Sequence, residues 1–268
     1  MNVVLFFEGT GQGVAGKYTN VTRLKELCVE DDEQRLHLES GPGTHFGAYF
    51  FGKVLGADCS GILRSARRWF QQNYRSCAST DVYLFGFSRG ALLARKFAEW
   101  LDKTNVPVKY LGLWDTVDSA LKVDVGTTCP ASVAYARHAV ARDERRQFFK
   151  LVPLVIGAAR ARQGEERVFP GVHSDVGGLY DDNHDLADAT LAWIADPAVA
   201  RGLRLKPGAT FRRDLNPDAL PVHDSFRLVS NLWGLLGSSV RRFASKPLSE
   251  SGTEVRNTSG ISKEPIQK

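Results

Sequence analysis

Asp81-Val82-Tyr83-Leu84-Phe85-Gly86-Phe87-Ser88-Arg89-Gly90-Ala91-Leu92-Leu93-Ala94-Arg95-Lys96-Phe97-Ala98-Glu99-Trp100-Leu101 is the stretch on which the fold turns. Its first five residues are apolar and β-favouring; its last eleven carry an amphipathic helical pattern. Between them Gly86-Phe87-Ser88-Arg89-Gly90 matches G-x-S-x-G, the sharp strand-to-helix turn that lifts a serine hydroxyl above the end of a sheet. The flanking glycines give the steric room such a turn needs. The following helix aims its first N–H groups at any anion that forms there.

The same alternation of elements extends in both directions. Residues 3–7 form an apolar run suited to a strand buried on both faces. Gly9, Gly11, Gly13 and Gly16 follow as a loop, and Thr19-Asn20 caps a helix carrying Val21, Leu24 and Leu27. A short strand is expected at 36–39, with a turn at 40–44, and a helix at 62–74. Beyond the elbow, a strand over 108–114 ends in Asp115-Thr116-Val117. The pattern predicts a helix over 134–149, a strand over 167–169, and a helix from 185 that stops at Pro197. Strands alternating with helices predict an α/β-hydrolase-like fold, a mostly parallel sheet with helices on both faces. The expected catalytic domain spans 1–245; the polar Ser-, Lys- and Glu-rich residues 246–268 read as a disordered tail.

The chain has 268 residues, 43% hydrophobic and 24% charged, enough for a large core that needs no covalent staples. Its net charge of +5 is spread along the chain, which argues against a nucleic-acid function and assists contact with an anionic membrane surface only slightly. Cys28, Cys59, Cys77 and Cys129 form no C-x-x-C pair and lack histidines at ligand spacing, so neither a metal nor a disulfide framework is expected. The first residues lack the basic and apolar regions of a signal peptide, and no apolar run reaches 18 residues. The expected location is the cytoplasm of the producing cell, with any export independent of a signal peptide.

A nucleophilic serine needs a base, and the base an orienting carboxylate, in the chain order Ser, Asp or Glu, His. Asp115 ends the strand after the elbow helix, where reactive groups of such sheets gather. Asp175 and Asp118 are its rivals. Of six histidines, His37 and His45 precede Ser88, His138 falls in the expected 134–149 helix, and His184 lies in a polar run. His173 and His223 both satisfy the order; the strand-loop setting of His173 favours it. The oxyanion hole requires two backbone donors. The N–H of Arg89 is one, and the Gly9–Thr10 loop after the first strand supplies the other. That loop is neither G-x-G-x-x-G nor Walker A, so no nucleotide cofactor is expected.

Several segments together resemble one family, the uncharacterised-domain α/β-hydrolases that include phospholipase effectors of bacterial type VI secretion. They are Phe7-Glu8-Gly9-Thr10-Gly11, Thr19-Asn20-Val21 with Arg23-Leu24, Gly41-Pro42-Gly43-Thr44, Leu84 to Ala91 with Ala94-Arg95, and Gly112-Leu113-Trp114-Asp115-Thr116-Val117. His138-Ala139-Val140-Ala141-Arg142-Asp143-Glu144-Arg145-Arg146 and Phe169-Pro170-Gly171-Val172-His173-Ser174-Asp175-Val176-Gly177-Gly178 complete the set, in family order, over residues 3–230. The resemblance implies Ser88, Asp115 and His173 as the triad. Glu8 stands where the family has aspartate, Gln12 where it has asparagine, Pro42 after the first glycine of a usual Gly-Val-Gly-Thr, and Leu179 where a third glycine is common. Larger relatives carry additional membrane-binding domains, so the chain reads as the catalytic core alone.

The expected function is hydrolysis of lipid or phospholipid acyl esters through an acyl-enzyme, without metal or cofactor. A hydrolase of small soluble esters or thioesters and a non-catalytic binding module are the alternatives. Expected partners are the lipid or ester substrate and, by resemblance, a secretion apparatus or an immunity protein. Residues 228–236, with Trp233, ahead of Arg241-Arg242, offer a surface for peripheral membrane contact, or a helix packed on the core.

Overall fold

The computed structural model describes residues 1–9, 18–41, 59–75, 79–118, 126–146, 149–157 and 163–224. Thr10, the loop glycines 11–16, Pro42 to Thr44, His45, Cys77, the 228–236 stretch, Arg241-Arg242 and the tail lie outside the described residues.

Six parallel strands make the main sheet: β1 (Asn2–Phe7), β2 (Gln34–Glu39), β3 (Asp81–Phe87), β4 (Tyr110–Trp114), β6 (Ala136–Ala141) and β8 (Gly164–Phe169), in the order β2-β1-β3-β4-β6-β8. β5 (Val117–Asp118) and β7 (Lys150–Leu151) pair antiparallel beside it. The continuous apolar run of β1 is used on both faces. Val3, Leu5 and Phe7 pack with Ile62 and Phe70 of α2 (Cys59–Asn73) and with Phe97 and Leu101 of α3 (Arg89–Lys103). Val4 and Phe6 pack with Leu24 of α1 (Asn20–Leu27) and with Leu191 and Ile194 of α5 (Asp185–Val199). A period-two strand with helices on each side must be apolar at every position, which is the pattern β1 shows.

The α/β-hydrolase fold class is as the sequence indicated; two elements differ. Within the expected 134–149 helix, residues 142–146 are a loop and Ala136–Ala141 is strand β6. Its alanines favour a helix locally, yet Ala136, Ala139, Val140 and Ala141 are fully buried between β4 and β8, where small side chains suit the crowded sheet interior. And α5 does not stop at Pro197. A helical proline removes the donor for the carbonyl four residues back; here that carbonyl, Trp193, accepts from Arg137 Nη1 at 2.6 Å. Arg137 also lies over the Trp193 ring, 4.4 Å from its centroid.

Connections leave β1 for β2 on one side and return to β3 on the other. The carboxyl ends of β1 and β3 flank this reversal, the crevice where open parallel sheets place their ligands.

Candidate active site

Ser88 occupies the turn between β3 and α3, with φ 59 and ψ −123, a conformation that non-glycine residues adopt only when held there. Its N–H donates to the Trp114 carbonyl at 2.9 Å, tying it to the end of β4. The turn tolerates no side chain on either side. A Cβ on Gly86 would lie 2.6 Å from the Gly90 carbonyl oxygen, and one on Gly90 would lie 2.1 Å from that of Phe7. Phe7 and Glu8 therefore pass directly beneath the first turn of α3.

Asp115 follows β4, fully buried, in the left-handed region with φ 37. Asp is among the residues that tolerate it. Its Oδ1 accepts from the Ala141 N–H at 2.9 Å, and its Oδ2 lies 2.6 Å from Nδ1 of His173. His173 opens the short helix α4 (His173–Gly177) and is only 3% exposed. Donation from Nδ1 to a carboxylate leaves Nε2 as the acceptor, the form a general base requires. The imidazole stacks on Phe87, centroids 4.5 Å apart, so it lies against the residue before Ser88. Burial pulls its pKa below the ordinary value, and the Asp115 hydrogen bond and charge oppose this without reversing it.

The other candidates sit elsewhere. His223 Nδ1 is 2.5 Å from Oδ1 of Asp175, its Nε2 is 3.2 Å from Asp182, and its ring stacks on Tyr180 at 3.8 Å. Asp175 also accepts from the Val172 N–H at the start of α4, so it holds the loop, and Asp118 belongs to β5. The Gly9 loop lies by the serine, since a Cβ on Gly9 would be 3.3 Å from that of Ser88. Its N–H, however, does not stand open as an oxyanion donor: it donates to Oε1 of Glu8 at 2.8 Å. A carboxylate only 1% exposed needs such donors, and Thr19 Oγ1 supplies the other, 2.6 Å from Oε2. Even so, burial pushes the Glu8 pKa up to about 7, against the lowering effect of both hydrogen bonds. Arg89 is the first residue of α3.

The comparison with known families decides the lineage. Residues 1–106 and 97–197 match the family described as the Tle1-like phospholipase effector catalytic domain of type VI secretion. The chain belongs to this family. No curated protein matches it significantly. Among solved structures, the Tle1 effector bound to the VgrG spike is 21% identical with a TM-score of 0.50, covering 67% of this chain and 51% of its own. An uncharacterized protein from Pseudomonas aeruginosa is 18% identical, TM-score 0.48, covering 81% of this chain and 48% of its own. The NocB thioesterase domain in covalent complex with a fluorophosphonate nocardicin G analogue is 13% identical, TM-score 0.44, covering 75% and 94%. The chain thus spans about half the length of the first two.

In this Tle1-like domain the loop after β6 supports the imidazole, a role the sequence analysis did not assign. Glu144, 1% exposed, accepts from the His173 N–H at 3.2 Å and from Arg146 Nε and Nη2 at 2.9 and 2.7 Å. Burial raises the Glu144 pKa, but the Arg146 hydrogen bonds and charge outweigh it and hold the carboxyl below its ordinary range. Arg146 lies over Phe149, whose ring meets that of His173 edge-on at 4.8 Å. The dense charge of Arg142 to Arg146 was the available signal; it reads equally well as a solvated surface. Among the described residues, no cluster of three or more His, Cys, Asp or Glu is arranged to hold a metal, and no helix is long and apolar enough to cross a membrane.

Proposed function

We propose that this Tle1-like domain is a serine hydrolase of carboxylic esters, with lipid or phospholipid acyl esters as its substrate class. The observation that carries the reading is the buried Asp115–His173 pair at 2.6 Å, its imidazole stacked on Phe87, the residue before a serine held at φ 59 on a strand-to-helix turn. Membership of a phospholipase effector family supports the lipid preference.

In the proposed cycle Ser88 Oγ attacks the acyl carbonyl while His173 Nε2 takes its proton. Asp115 fixes the Nδ1–H tautomer and stabilises the imidazolium. The N–H of Arg89, at the start of α3, stabilises the oxyanion, with the second donor assigned to the loop after β1, Thr10 being its sequence candidate. The protonated imidazole releases the alcohol, then activates water to cleave the acyl-enzyme. Export through a secretion spike is proposed by kinship with the spike-bound Tle1 effector.

Incubation with a mixed lipid extract, followed by mass spectrometry, tests the substrate class: free fatty acid and lysophospholipid are expected from the wild type and not from Ser88→Ala. Turnover of short soluble thioesters alone would refute the lipid assignment. A fluorophosphonate probe should label Ser88; absence of labelling in folded protein would overturn the serine mechanism. Asp115→Asn should lower kcat by about 10³-fold or more with little change in KM. Full activity there, with loss in Asp175→Asn, would transfer the orienting role.

A further inference from the structure

His138 and Glu166 lie outside the proposed triad, yet they form a hydrogen-bonded chain that ends on it, its histidine fully buried and its carboxylate partly open to solvent. His138 is fully buried on β6, and Glu166 is its neighbour on β8, paired in register. Nε2 of His138 accepts from the Thr116 N–H at 3.0 Å. A ring accepting at Nε2 carries its hydrogen on Nδ1. That nitrogen lies 2.8 Å from Oε2 of Glu166, the acceptor it requires. The same Oε2 accepts from the Leu154 N–H at 2.6 Å, and the Thr116 carbonyl accepts from the Val152 N–H at 2.9 Å. Val152 is held in turn by Arg95, a buried cation of α3 donating to its carbonyl at 2.8 Å. The peptide group immediately after Asp115 is therefore gripped at its N–H, and the Thr116 carbonyl is gripped as well. Asp115 itself sits at φ 37, a conformation that reverts to a commoner one when its surroundings release it.

We propose that His138 and Glu166 are positioning residues: together they clamp the Asp115–Thr116 backbone so that the Asp115 carboxylate meets Nδ1 of His173. The proposal deepens the serine-hydrolase reading and rests on it for its catalytic meaning. Glu166 selects the His138 tautomer. Without an acceptor at Nδ1 the ring is free to carry its hydrogen on Nε2, and it then repels the Thr116 N–H instead of accepting from it. Burial raises the Glu166 pKa, but the His138 hydrogen bond and charge, the Leu154 N–H and Arg95 outweigh this and keep it below the ordinary value, which suits a lasting acceptor.

The test reads the His173 imidazole directly, by NMR of protein labelled at histidine nitrogen, in Glu166→Ala, Glu166→Gln, His138→Phe and wild type. Amide spectra establish that each is folded. The charged groups facing His173 are Asp115, Glu144 and Arg146, and none is altered. In Glu166→Ala and His138→Phe the hydrogen-bonded Nδ1 proton of His173 should exchange at least tenfold faster, and the ring should titrate at lower pH, because the Asp115 interaction that raises its pKa is weakened. In Glu166→Gln one amide oxygen can accept from both His138 and Leu154, so the His173 signal should return to that of the wild type. On esters, Glu166→Ala should lose about tenfold in kcat with KM unchanged, its acid limb displaced to lower pH, and Glu166→Gln should recover. A folded Glu166→Ala with the His173 proton and titration of the wild type overturns the proposal. Should His138→Phe fail to fold, Glu166→Ala against Glu166→Gln decides. A displaced His173 titration in a protein that hydrolyses no ester upholds the clamp and sinks the hydrolase reading, so the two fail separately.

Discussion

Ser88 and Glu8 show how much one side chain can be asked to bear. Ser88 combines the proposed nucleophile with a backbone angle that costs about 1–3 kcal/mol. Ser88→Ala keeps the angle and loses the hydroxyl: ester turnover should fall by about 10⁴-fold while thermal stability stays near that of the wild type. Ser88→Gly should also be inactive but more stable than Ser88→Ala by about 1 kcal/mol, since glycine accepts the angle freely. Calorimetry on the pair checks this, and equal stabilities would mean that the turn is unstrained. Glu8 is paired twice and still has its pKa raised to about 7 by burial. A folded-state pKa above the unfolded one means that ionising Glu8 weakens the fold progressively as pH rises from about 4.5 to about 7. Glu8→Gln cannot ionise. Its stability relative to wild type should therefore improve by about 1–3 kcal/mol between pH 5 and pH 8, read as the difference of two denaturation curves at each pH. A constant difference would place Glu8's titration outside that window.

Among the elements, α5 is instructive because its sequence argues against its length. Pro197 should end it, and does not, because Arg137 from β6 satisfies the Trp193 carbonyl. Arg137→Ala should cost about 1–3 kcal/mol, the penalty of an unsatisfied, half-buried carbonyl together with the lost stacking on Trp193. In a Pro197→Ala background the residue 197 N–H takes over that carbonyl, so Arg137→Ala should cost distinctly less. A double-mutant cycle by urea unfolding measures the difference; additivity would show that Arg137 acts only through its ring contact. Strand β6 carries a related lesson: 136–141 is alanine-rich enough to read as helix, and it is a strand because β4 and β8 offer it backbone partners on both edges.

Across the whole molecule two histidines set opposite pH trends. His173 has its pKa depressed, so it contributes stability that is fully present above about 6.5 and is lost as pH falls below that value. The same depression keeps Nε2 unprotonated further into acid, so the acid limb of kcat/KM should lie below pH 6.5. His223 is the reverse: burial works to lower its pKa, but Asp175 and Asp182 outweigh it and raise the value. Its contribution is present below about pH 6.5 and is lost as pH rises through the raised folded-state pKa. The stability gap between wild type and His223→Asn should therefore shrink from pH 6 to pH 9 in paired thermal melts. A gap that widens would reverse the direction assigned to His223. Asn20 knits the molecule at this same scale, its side-chain amide donating from α1 to the Val176 carbonyl within α4 and the Ala187 carbonyl within α5.

What could be read along the chain was what short-range sterics and periodicity impose. Gly86 and Gly90 around Ser88 announced a turn that admits no Cβ, the residue 3–7 run announced a strand covered on both faces, and Thr19 announced the start of α1. Chain order narrowed the base to His173 or His223 without choosing between their carboxylate partners. The choice of partner depends on contacts made across the fold: Asp115 meets His173 over 58 residues, and Asp175 meets His223 over 48. The Gly9 N–H was expected to face an oxyanion and instead serves a buried carboxylate, because desolvation of Glu8 demands a donor that no local pattern displays. His138 was placed on a helix and set aside, yet it lies in the sheet between Thr116 and Glu166. Local propensity constrains each segment against its own neighbours in the chain. Strand partners, satisfied buried polar groups and tautomers arise from surfaces that meet only when the chain has closed on itself.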